Sequence, residues 1–309
     1  YITALSFVFF AKQKADIAVL ETGLGGRFDA TNIIEKPLIC IISSISYDHK
    51  AVLGNSIKKI AFEKAGIIKA GAKTIVSNLH QDALDIISKK TCPYIFGSDF
   101  KVSNISFKYG VPKFDYSFTD KTILKNIRLQ NFGFHQIQNA SLSLCAADLL
   151  KQKGFILKEA QIKKALYNVK VAARFDLRNL KIKGQKIKLI IDGAHNEEAL
   201  KAFVSQWRSL KLKKGVFIFA IMKDKEYKKT VKILAPMAKQ IILPKLKSQR
   251  ALMPAILKKE FSKYISNSNI AIAASVKDAL TLLKKTDICA AVGSLYLAGE
   301  VFENTKLKI

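Results

Sequence analysis

The chain has 309 residues, 49% of them hydrophobic and 25% charged, which excludes a disordered polyelectrolyte and makes two domains the natural expectation. Its formal charge of +28 climbs along the chain, from +3 over residues 1–100 to +10 over 101–200 and +15 over 201–309. Only six of the 52 basic residues are arginine, which reads phosphates and bases through a bidentate fork, so the lysines read as a solvated coat and nucleic acid is not the expected partner.

The apolar opening Tyr1–Phe10 has no basic flank and no starting Met, and reads as a chain entered in mid-helix rather than as a signal sequence. Ile17–Leu20 and Leu38–Ile42 read as buried strands, with Thr74–Val76 a third. Asn55-Ser56 caps a helix whose face is Ile57, Ile60 and Ala61 and which ends near Gly66. From about Phe96 to Leu129 alternating Tyr, Phe, Ser and Thr predict an antiparallel excursion. A helix follows over 136–153 with Ala140, Leu144, Ala147 and Leu150 as its stripe. A regular repeat then sets in: strands 188–191, 216–221, 240–243, 270–274 and 288–292, with helices 197–210, 226–237, 254–263 and 276–285 between them. Such a repeat predicts a doubly wound, Rossmann-like domain. The boundary is expected near 170–175, giving domains 1–171 and 172–309, with relative motion at a short joint.

No apolar run reaches the roughly 20 residues of a membrane helix. Cys40, Cys92, Cys145 and Cys289 are widely spaced and form no C-x-x-C pair, which suits a reducing, cytoplasmic setting.

Ligands of open α/β sheets collect beyond the carboxyl ends of the strands, so the residues after each apolar run carry the chemistry. After 17–20 comes Glu21-Thr-Gly-Leu-Gly-Gly-Arg27-Phe-Asp29-Ala-Thr-Asn32. A carboxylate followed by glycines can hold a magnesium ion and let a ligand approach the backbone; alone it is equally a plain turn. After 38–42 comes Ser43-Ser-Ile-Ser-Tyr-Asp48-His49, an acid–imidazole pair or a surface histidine. Lys64, in Glu63-Lys64-Ala65-Gly66-Ile67, sits near the packed helix face, where a lysine is costly unless paired or modified, although a solvated lysine is the plain alternative.

Taken together in this order and spacing, these three words resemble the central domain of the folylpolyglutamate synthase and dihydrofolate synthase family of the Mur ligase superfamily. The resemblance implies magnesium ligation by Glu21 and His49 and carbamylation of Lys64, which would convert a buried cation into a metal-binding anion. It extends to Phe134-His135-Gln136-Ile-Gln-Asn139-Ala140, whose Asn139 is expected on adenine, and to Arg174-Phe175, whose arginine is expected on the phosphates. Ala173 stands where that family usually has glycine. Asp192-Gly-Ala-His195-Asn196 resembles the family word in which the aspartate holds ribose and the histidine lies near nucleotide and amino acid; by itself a strand-tip Asp is also a simple cap. Met222-Lys-Asp-Lys225 and Gly293-Ser294-Leu-Tyr-Leu297 resemble two further words, with Ser294 an expected glutamate contact. Arg27 and Asp29 are expected at the pterin.

The fold so implied is a partial Mur-ligase-like central ATP-binding domain followed by the Rossmann-like domain. No G-x-x-x-x-G-K-[ST] occurs in these 309 residues. The family carries such a loop before the opening helix, so the chain is expected to be an N-terminally truncated form whose isolated activity is impaired. The implied activity is ATP- and magnesium-dependent addition of L-glutamate to dihydropteroate or a reduced folate by a monomeric enzyme. The rivals are another Mur-type amino-acid ligase, an inactive fragment and a basic RNA-binding domain. The C-terminal lysines are also expected to help hold an anionic polyglutamate tail.

Overall fold

The computed structural model describes every residue except 48–49, 109–110, 131–132, 183, 286–287 and 306–309. The chain separates into two compact units. One comprises Tyr1–Ile105, Phe114–Ile127 and Ile137–Ile162, the other Ser106–Lys113, Arg128–Gln136 and Lys163–Ile309. Among the described residues no helix is long and apolar enough to cross a membrane.

The first unit opens with α1 (Ile2–Lys12), which buries none of its residues. The expected strand at Ile17–Leu20 does not form: the segment is irregular and Val19 is 91% exposed. A strand holds only where a neighbour completes its ladder, and the sheet here consists of β1 (Ile39–Ile42), β2 (Lys73–Val76) and β3 (Tyr94–Ile95), in parallel. After α2 (Lys50–Leu53), α3 (Ile57–Lys64) starts as its sequence predicts, with Ser56 Oγ accepting from the Lys59 amide at 3.2 Å. Its buried Ala61 joins Cys40, Ile42 and Val76 of the sheet, and Ala83 and Ile87 of α4 (Gln81–Ser88), in one core.

β4 (Phe100–Lys108), β5 (Val111–Phe118) and β6 (Lys121–Arg128) form a second three-stranded sheet in that order. Only Thr119 and Asp120 join β5 to β6, both left-handed at φ 47° and 62°, a tight turn that requires antiparallel neighbours. α5 (Phe134–Gln152) follows. Its buried face runs through Ile137, Ala140, Ser141, Leu144, Cys145, Asp148 and Leu149, so the expected stripe is rotated and Ala147 and Leu150 are only half-buried. α6 (Glu159–Asn168), which ends just before the expected boundary near 170–175, buries nothing.

The second unit is built on a six-stranded sheet of order β11-β10-β9-β12-β8-β7. Its strands are β7 (Asp176–Ile182), β8 (Gln185–Asp192), β9 (Gly215–Phe219), β10 (Ala238–Pro244), β11 (Ile270–Ala273) and β12 (Cys289–Val292). All neighbours are parallel except β7, an antiparallel edge strand that the apolar pattern does not announce. α7 (Glu197–Ser209), α8 (Tyr227–Leu234) and α9 (Pro254–Phe261) pack on one face, with Trp207 fully buried against Phe203 and Phe217. α10 (Val276–Thr281) and α11 (Leu295–Thr305) cover the other. β12 returns between β8 and β9, so the loops leaving these three strands meet at one sheet edge.

Candidate functional site

In the first unit the glycine loop and the end of α3 are built as one piece. Arg27 Nη2 and Nε reach the Glu63 carboxylate at 2.8 and 3.2 Å, and the Arg27 amide donates to the Glu63 carbonyl at 2.8 Å. Asn32 Nδ2 bridges the carbonyls of Arg27 and Gly66 at 3.0 and 3.1 Å. Gly66 is obligatory for this contact, because a Cβ there would lie 2.4 Å from Arg27 Cα. Phe28 and Phe62 stack against the Arg27 guanidinium at 4.1 and 5.1 Å. Asp29 closes the loop from inside: one carboxylate oxygen accepts from the Gly23 and Leu24 amides, the other from the Thr31 amide and hydroxyl, at 2.7–2.9 Å. Burial pushes its carboxyl upward, and the bonds from Thr31, Leu24 and Gly23 outweigh it and leave it below the usual value.

The structure thus brings Arg27, Asp29 and the EKAGI word together, and the side chains of Arg27 and Asp29 are engaged in holding the loop. Glu63, the partner of Arg27, is not among the residues that the sequence marks for chemistry, although it stands beside Lys64. Lys64 is half-buried at the end of α3 and Glu21 is exposed. Asp48 and His49 lie outside the described residues. No group of three or more His, Cys, Asp or Glu among the described residues is placed to hold a metal ion. Magnesium takes oxygen ligands in octahedral geometry, and the amine of Lys64 is not one until it becomes a carbamate. Of the expected ligands, Glu21 offers oxygen as it stands and Lys64 only as its carbamate. Asn139 is exposed on α5, and its carbonyl accepts from Ser143 Oγ at 3.2 Å.

In the second unit the expected residues converge on the tip of β8. Asp192, buried at its last position, accepts from the Phe175 amide at 2.7 Å through Oδ2 and from the Ala194 amide at 2.8 Å through Oδ1. The Gly193 amide donates to the Ala173 carbonyl at 2.8 Å, which completes the lock. Ala173 and Phe175 are both left-handed, at φ 56° and 48°, and their side chains enter the cores on opposite faces of the sheet. Arg174 between them is left exposed. Ala173 thus adopts the backbone for which glycine is the ordinary choice. Burial pushes the Asp192 carboxyl up, against the two amide bonds and the charges of Arg174 and His195, which draw it down. Arg174 also acts on His135, whose imidazole burial and that charge hold below the usual value. His195 Nδ1 lies 2.8 Å from the Gly193 carbonyl, and Asn196 caps α7 by accepting from the Ala199 amide at 2.9 Å.

Ser294 is 2% exposed, and its Oγ accepts from the Leu297 amide at 3.0 Å at the start of α11. It follows Gly293, whose φ of 124° and whose Cβ position, 2.5 Å from the Ala220 carbonyl oxygen, admit no other residue without strain. The loops at this end of the sheet thus present the Arg174 guanidinium, which suits an anionic ligand, with the His195 imidazole and the buried Asp192 carboxylate on the adjoining loop.

Residues 173–295 match the family described as Mur ligase, glutamate ligase domain. That match places the second unit in the class of Mur-type amino-acid ligases. The whole chain is similar to the dihydrofolate synthase/folylpolyglutamate synthase of Bacillus subtilis, 30% identical over 315 residues that cover 98% of this chain and 71% of the relative. It is likewise 30% identical to the probable dihydrofolate synthetase of Schizosaccharomyces pombe, over 100% of this chain and 75% of that protein. The solved folylpolyglutamate synthase of Thermotoga maritima superposes with a TM-score of 0.81 at 28% identity, covering 99% of this chain and 69% of that one. A folylpolyglutamate synthase solved with AMPPCP and folate gives 0.80 at 25% identity, covering 99% and 70%. The chain belongs to the dihydrofolate synthase/folylpolyglutamate synthase family.

Proposed function

We propose that the protein is an ATP-dependent acid–amino acid ligase that adds L-glutamate to dihydropteroate, to a folate, or to both. The observation that carries this reading is the backbone lock of Ala173 and Phe175 onto Gly193 and Asp192, which leaves Arg174 exposed between them inside the segment that matches the glutamate ligase domain. In the reaction a carboxylate oxygen of the acceptor attacks the γ-phosphorus of ATP, ADP leaves, and an acyl phosphate forms. The glutamate amine then attacks the acyl carbon and loses a proton, and phosphate leaves with the C–O bond broken and an amide made. Charge accumulates on the transferring phosphoryl group and then on the tetrahedral carbon, so fixed cations and amides aimed there do most of the work.

Residues 1–171 would carry nucleotide and pterin, and 172–309 the glutamate. Arg174 would meet the phosphates, Asn139 the adenine and Asp192 the ribose. Each Asp192 oxygen that accepts one amide keeps a second lone pair for that purpose. His195 and Ser294 would contact glutamate, and Arg27 and Asp29 the pterin. Magnesium would be held by Glu21, His49 and Lys64 as its carbamate, and would supply neutralising charge to the phosphates. The enzyme would act as a monomer in the cytoplasm.

The test is ADP release with ATP, acceptor and L-glutamate varied in turn, and the product weighed by mass spectrometry. An acceptor heavier by one glutamate residue supports the reading; preference for a UDP-linked acceptor, or ADP release indifferent to glutamate, overturns it. Lys64→Ala should abolish turnover, and a short carboxylic acid should restore part of it if a carbamate is the working group.

A further inference from the structure

Two arginines of this lysine-rich chain close their forks on a neighbouring carboxylate: Arg27 on Glu63 at 2.8 and 3.2 Å, and Arg178 on Asp176 at 2.7 and 2.9 Å. Arg250 does not. Its Nη2 stands 3.6 Å from Asp224 Oδ1, its Nη1 donates to the Tyr296 hydroxyl at 3.4 Å, and its side chain is 64% exposed. Its backbone, in contrast, is tightly held. The Arg250 carbonyl accepts from the Lys223 amide at 2.9 Å, and the Leu252 amide donates to the Ile221 carbonyl at 2.8 Å. Met222 and Ala251 form an antiparallel bridge. Further back, the Lys247 amide donates to Glu300 of α11 at 2.8 Å.

The loop after β10 is therefore tied to the segment leaving β9 and to α11. It carries Arg250 to Asp224, beyond the tip of β9, and to Tyr296, two residues after Ser294. A guanidinium on a fixed backbone, with its fork open and only a long contact to an exposed acid, is preorganised for a carboxylate that can satisfy it bidentately.

We propose that Arg250 is a specificity-determining residue of the ligase, binding a carboxylate of the incoming amino acid. Asp224 is the weak partner that the substrate carboxylate replaces, and the Tyr296 hydroxyl orients the guanidinium. This rests on the reading of the protein as an amino-acid ligase. The test is steady-state kinetics with L-glutamate and L-glutamine as alternative amines, at saturating ATP and acceptor. Arg250→Ala should raise KM for L-glutamate by about tenfold to a hundredfold, the loss of a charge-assisted hydrogen bond. KM for ATP and acceptor should stay in place, and the preference for glutamate over glutamine should shrink. Arg250→Lys, which keeps the charge and the fold without the fork, should recover only part of the loss, and Tyr296→Phe should show a smaller rise of the same kind. An unchanged glutamate KM and an unchanged glutamate-to-glutamine ratio in both Arg250 variants overturn the assignment while wild-type turnover leaves the ligase reading standing. A wild-type enzyme whose ADP release ignores glutamate overturns both.

Discussion

The Asp192 carboxylate holds the Phe175 amide at 2.7 Å and thereby fixes the backbone that exposes Arg174. Replacing it by Ala leaves two buried amides without acceptors, at about 1–3 kcal/mol each before water compensates. Asp192→Ala should therefore lower the urea midpoint and weaken the binding of an ATP analogue, because Arg174 loses its fixed position. Asp192→Asn keeps an acceptor and should retain more of both. Burial raises the Asp192 carboxyl above its ordinary 3.8, so its contribution to stability is largest where it is protonated and falls as pH rises through the raised value. Asp192→Asn should remove that slope from the stability profile.

Ala173 is itself left-handed, at φ 56°. Ala173→Gly relieves the unfavourable φ of 56° but gives up a buried methyl, so stability should change by no more than about 1 kcal/mol and nucleotide binding should persist. Ala173→Val places a β-branched side chain where it is a steric outlier, and should cost about 2 kcal/mol or more in chemical denaturation.

Asp29 has the opposite sign to Asp192. Its carboxyl sits below 3.8, so the stability it lends the glycine loop is fully present above that value and is lost as pH falls through the lowered one. Amide hydrogen exchange at Gly23, Leu24 and Thr31 should accelerate over that acidic window. Asp29→Asn should show fast exchange at these amides already at neutral pH.

Gly66→Ala would press a methyl to 2.4 Å from Arg27 Cα, a backbone contact that cannot swing aside. We expect a loss of about 1–3 kcal/mol together with release of the Arg27–Glu63 pair. Loss of the pair would show as a fold no longer sensitive to Glu63→Gln in a double-mutant cycle.

The four thiols should react unequally. Cys92 is exposed, whereas Cys40, Cys145 and Cys289 are buried, and burial with the charges of Asp148 and Asp99 pushes Cys145 up to about 12. A thiol reagent at mildly alkaline pH should modify one cysteine quickly in the native protein and all four in urea. Rapid native labelling of Cys145 would contradict this packing.

The words around Glu21, Lys64, Arg174 and Asp192 are legible in the sequence because strand tips and glycine turns have local signatures. The regular strand–helix repeat after residue 188 and the Ser56 cap are legible for the same reason: periodicity and capping act within a few residues. Long-range pairing is not local. Ile17–Leu20 has the composition of a buried strand yet stays exposed without a neighbouring ladder, and β7 forms because β8 offers an edge rather than because of its own pattern. Likewise nothing near Arg250 announces that its loop is tied to Lys223 and Glu300. The sequence by itself determined the chemical class of the chain and the residues that follow its strands. Only the tertiary structure decided what those residues touch, Asp29 and Asp192 accepting from backbone amides and Arg27 pairing with Glu63, and that Arg250, which the sequence does not mark, keeps an open fork, because hydrogen-bond partners are chosen by proximity in space.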